Sequence, residues 1–130
     1  MVLKQLPFTN LGFAKVSMRE DGIINTNILL NDSATLDQAK ELLAAYLEIT
    51  KGINTPHLFT VTKLAIIETE VMEFIKNVAN KHGKADAFVI HSLPQKNLGN
   101  AFLKFQTPSI STKLFSSEAK AIEWLTQYKQ

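Results

Sequence analysis

The sequence predicts an α/β fold: a mixed sheet with a parallel core and an N-terminal antiparallel hairpin, flanked by four helices. Three observations predict it. Two alternating runs, 12–18 and 23–30, flank Arg19-Glu20-Asp21-Gly22, and Asp-Gly tolerates the positive φ angles of tight hairpin turns. From Pro56 onward, short strand-like runs alternate with helical ones, the pattern of right-handed crossovers between parallel strands. The run 85–91, Ala-Asp-Ala-Phe-Val-Ile-His, is apolar without strict alternation, as suits a strand covered on both faces.

Each element has its own local cause. Thr35-Leu36-Asp37-Gln38 is a capping box that starts a helix over about 35–50. Leu36, Ala39, Leu43, Tyr46 and Leu47 recur at helical spacing, and Gly52 after Lys51 supplies a stop. Pro56 opens a strand over 57–62. Val71, Phe74, Ile75 and Val78 mark a second helix over 69–82, ended by Gly83. Pro94 stands in the first turn of a third helix over 94–106, where a missing amide costs little, and Leu98, Ala101, Phe102 and Phe105 form its apolar stripe. Thr107-Pro108 closes it. Thr112–Phe115 is a short strand. Ser116 is expected to cap the last helix, with Ala121, Trp124, Leu125 and Tyr128 inward. An extra strand near 2–6 is compatible with this order.

Composition narrows the function. At 130 residues the chain fits one domain, 1–130, with 45% hydrophobic and 20% charged residues, an ordinary globular balance. It has no cysteine, which removes disulfides, thiolate zinc sites and cysteine nucleophiles. Net charge is +2 and Arg19 is the only arginine, a poor basis for nucleic-acid recognition. The N-terminus lacks the long apolar core of a signal peptide, and no run approaches the length of a membrane span. A cytoplasmic location is the expectation.

The run Leu98-Gly99-Asn100-Ala101-Phe102-Leu103-Lys104-Phe105, then Pro108, Thr112-Lys113-Leu114-Phe115, Glu118-Ala119 and Ala121-Ile122-Glu123-Trp124-Leu125, resembles the C-terminal part of small bacterial STAS-like proteins. These are relatives of the anti-sigma-factor antagonists, a fold shared in outline by CRAL-TRIO lipid-transfer domains. The resemblance implies a non-enzymatic module that binds a partner protein. In the antagonists a serine at the start of the helix after a central strand is phosphorylated. The corresponding position here is Thr69, within Ile67-Glu68-Thr69-Glu70. The family's Asp-Ser-Ser/Gly pattern is absent: Glu68 stands for the aspartate, and Val71 replaces the glycine.

Read from the residues alone, Thr69 is a helix N-cap whose hydroxyl accepts a first-turn amide. A phosphate there would meet favourable helix-terminus charge and the repulsion of Glu68 and Glu70. Glu73 joins those glutamates in an acidic cluster that suits the positive end of the helix dipole. His57, His82 and His91 lack the short spacing of metal ligands, and no cofactor signature is visible. Gly99 is a lone glycine in a helical run and forms no phosphate-cradling loop. Asn25, Asn27 and Asn31 form a polar stripe that reads either as protection of an edge strand against aggregation or as a partner surface. Two functions remain open. One is an interaction or regulatory module docking a protein through Glu68, Thr69 and Glu70. The other is a carrier or sensor of an apolar small molecule or lipid, with a groove at Leu98, Phe102 and Phe105. An enzyme ranks last, because no set of nucleophile, base and orienting group stands out. A homodimer is compatible with this fold.

Overall fold

A computed structural model describes residues 6–30, 33–61, 68–90, 100 and 110–129. Gly22 sets the first corner. Its φ of +85° is open to glycine at little cost, and its amide donates to the Arg19 carbonyl at 3.0 Å while the Arg19 amide donates to Ile23 at 2.9 Å. This turn joins β2 (Ala14–Met18) to β3 (Ile24–Ile28) as an antiparallel hairpin. The Asp21 carboxylate steadies it by accepting from the Ile23 amide at 3.1 Å and from the Arg19 side chain at 3.2 Å. A short β1 (Phe8–Asn10) adds antiparallel to β2. Strand β1 was not expected from the sequence; the extra strand expected near 2–6 falls almost entirely on residues 1–5, which lie outside the described residues.

Helix α1 (Leu36–Thr50) begins at the expected capping box. The Gln38 amide donates to Thr35 Oγ1 at 3.1 Å, and the Thr35 amide donates to Gln38 Oε1 at 2.9 Å. At its far end Lys51, with φ 56°, takes the left-handed cap, and Gly52 follows with φ 78°. Strand β4 (Thr55–Val61) then pairs parallel with β3, and β5 (Gly83–Val89) pairs parallel with β4. Pro56 has no amide to give to a ladder, and the β4–β5 register shifts between Thr55 and His57, beside it. Strand β6 (Ser111–Phe115) completes the sheet parallel to β5, in the order β1-β2-β3-β4-β5-β6.

The described residues hold three α-helices where the sequence predicts four. The stretch 94–106, read as the other helix, lies outside them except for Asn100, which is helical. The helix expected over 69–82 is shorter. Helix α2 runs Thr69–Asn77, Val78 departs from helical geometry (φ −122°, ψ −62°), and a 3-10 turn, Ala79–His82, carries the chain to Gly83. Val78, expected on the inner face, is 40% exposed as a result. Helix α3 (Glu118–Thr126) is capped by Ser117 in place of Ser116; Ser117 Oγ accepts from the Lys120 amide at 3.4 Å. With two serines in a row, the hydroxyl that faces the first-turn amides takes the role.

Strand alternation separates two cores. Val16 and Ile24 meet Ala45, Tyr46 and Ile49 of α1 on one face. Ile23, Leu58, Ala85, Ala87 and Val89 meet Ala121 and Leu125 of α3 on the other. The neighbours Ile23 and Ile24 are both fully buried because the strand offers them to opposite cores.

Candidate functional site

Two places on this frame hold chemistry worth weighing. The first is the start of α2. Glu68 is the N-cap residue, in extended geometry (φ −75°, ψ 159°), and its side chain makes no cap hydrogen bond. Thr69 is therefore the first helical residue, one position too late to cap, which corrects the N-cap reading. Glu68, Thr69 and Glu70 are all exposed, as is Glu73 one turn on. The helix is held from beneath by Val71, buried against the fold, and the Val71 and Met72 amides both donate to the Glu68 carbonyl at 3.0 Å. The three residues thus form a solvent-facing rim, Thr69 between two carboxylates, at the start of the helix in the crossover from parallel strand β4 to β5.

The second place lies on the sheet face under α1. Parallel pairing sets His57 of β4 beside Asp86 of β5, and Phe59 beside Phe88. The rings form a continuous stack. Tyr46 from α1 lies 5.0 Å from His57 at 9°, His57 lies 3.8 Å from Phe59 at 20°, and Phe59 lies 4.7 Å from Phe88 at 10°. His57 Nε2 shares a 2.5 Å hydrogen bond with Thr26 Oγ1. The Tyr46 hydroxyl accepts from the Thr55 amide at 3.0 Å and stands 2.9 Å from both the Thr55 and His82 carbonyls, so α1 is tied to the starts of β4 and β5.

Burial sets the protonation of this cluster. His57, only 6% exposed, has its pKa lowered to about 3, because a charged ring would be stripped of water there. Asp86 is half-buried as a residue but its carboxyl is enclosed, and burial pushes its pKa up to about 7. Tyr46 is raised, chiefly by burial, against the lowering effect of its bonds to Thr55. The Thr26–His57 contact has the form of a hydroxyl beside a base, yet Thr26 is fully buried and no substrate reaches its oxygen. The cluster reads as a polar, aromatic core.

Other expected residues fall apart in space or outside the described residues. Leu98, Phe102 and Phe105, the apolar groove of the carrier reading, lie outside, as do Asn31, His91 and Gly99. His82 ends the 3-10 turn, where its carbonyl stands beside the Tyr46 hydroxyl, and its side chain joins no metal-binding group among the described residues. Asn25 and Asn27 stand on β3, an interior strand paired with β2 and β4, which corrects the edge-strand reading, and Asn27 Oδ1 accepts from the Thr60 hydroxyl of β4. The buried stack was not foreseen. Its signal was the matched spacing His57-x-Phe59 and Asp86-x-Phe88, which puts a titratable group and a ring on one face of each of two neighbouring strands.

This arrangement of strands and helices is that of a SpoIIAA-like fold. An uncharacterised protein of the DUF3478 family from Shewanella loihica PV-4, described as having a SpoIIAA-like fold, matches it with a TM-score of 0.58. The two chains are 11% identical, and the match covers 96% of this chain and 98% of that one. It carries the antagonist side of the expected resemblance; the likeness to CRAL-TRIO domains finds no support in it. The chain belongs to the DUF7793 family, a domain of unknown function whose family model matches residues 17–129. A search of curated proteins returns no match. No helix among the described residues is long and apolar enough to cross a membrane.

Proposed function

We propose that this protein is a cytoplasmic, non-enzymatic interaction module of the STAS-like type that docks a partner protein at the start of α2. The observation that carries the reading is the exposure of Glu68, Thr69 and Glu70 together, on a helix start that the side chain of its N-cap residue, Glu68, does not cap. An uncapped first turn leaves amide donors for a partner to satisfy, and the two carboxylates favour a partner surface rich in lysine or arginine. The buried ring stack supports the same reading from the other side. It fills the sheet face under α1 with packed side chains and spends its titratable groups on the interior.

Thr69 is the position where such docking would be switched. Its hydroxyl is exposed and free of a capping duty, and a phosphate added there would place two more negative charges between Glu68 and Glu70. The carrier reading has no described residue to stand on, because Leu98, Phe102 and Phe105 lie outside the described residues.

The test is affinity purification from the host with the wild type and with the double charge reversal Glu68→Lys, Glu70→Lys. The proposal expects a protein that co-purifies with the wild type and is lost, or reduced at least about tenfold, with the reversal, a difference of about 1.4 kcal/mol. Equal recovery by both forms would contradict it.

A further inference from the structure

We draw no further inference here: the strongest candidate, the His57–Asp86 pair within the ring-stacked cluster on the α1-covered face of the sheet, stands only on the burial-driven shifts of two proton affinities.

Discussion

His57 and Asp86 oppose one another in their effect on stability. The unfolded chain takes up a proton on His57 near pH 6.5, the folded chain only near 3. Between those values the unfolded state binds more protons, so this residue makes stability rise with pH. Asp86 acts the other way. Its unfolded carboxyl releases a proton near 3.8 and its folded one near 7, so it makes stability fall as pH rises between them. Across their shared window, about 4 to 6.5, the two slopes cancel. Chemical denaturation at a series of pH values checks this. The wild type should be nearly flat through the window. His57→Phe should show stability falling toward pH 7, and Asp86→Asn should show it rising toward 6.5. A flat profile in both variants would show that neither group changes its proton state on folding and would contradict this account. Tyr46 offers a second test at this scale. Tyr46→Phe leaves the ring stack in place but strips the Thr55 amide of its acceptor, and should cost about 1–3 kcal/mol in the denaturation midpoint at an unchanged slope.

Helix α2 separates folding from function within one element. Thr69 is its first residue and Glu68 before it is already extended, the backbone that a following proline requires. Thr69→Pro should therefore leave stability within about 1 kcal/mol of wild type while removing the hydroxyl and changing the docking face. Circular dichroism and denaturation check the first half, and partner recovery the second. How far each element could be read from the chain depended on how local its cause was. The Thr35–Gln38 box and the Gly22 turn act within a few residues, and both were legible. So were the parallel partners β4 and β5, since crossover helices leave their mark in the order of runs. The end of α2 was not: Val78 continues the apolar spacing, yet the chain tightens there into the turn that sets the His82 carbonyl beside Tyr46, an interaction with a helix 36 residues away in sequence. The uncapped start of α2 was hidden for a similar reason, because threonine at a helix start looks alike whether it caps or follows the cap.

At the scale of the molecule, six strands in simple order place both cores on opposite faces of one sheet and leave the α2 start on the rim. The β3–β4 and β4–β5 crossovers were legible from alternation and spacing because each carries its own strand and helix signature. The buried His57 centre was not, since it exists only once β3, β4, β5 and α1 are assembled and Thr26, Asp86 and Tyr46 come together around one ring. What the rim does is the claim on which the account of function depends. The most direct measurement is site-specific photocrosslinking in the host, with a photoreactive residue at position 69 and, as a control, at the exposed position 123 on α3. The account predicts a discrete protein adduct from position 69 that disappears when Glu68 and Glu70 are reversed to lysine, and none from position 123. No adduct at position 69, or the same adduct from both positions, would contradict it.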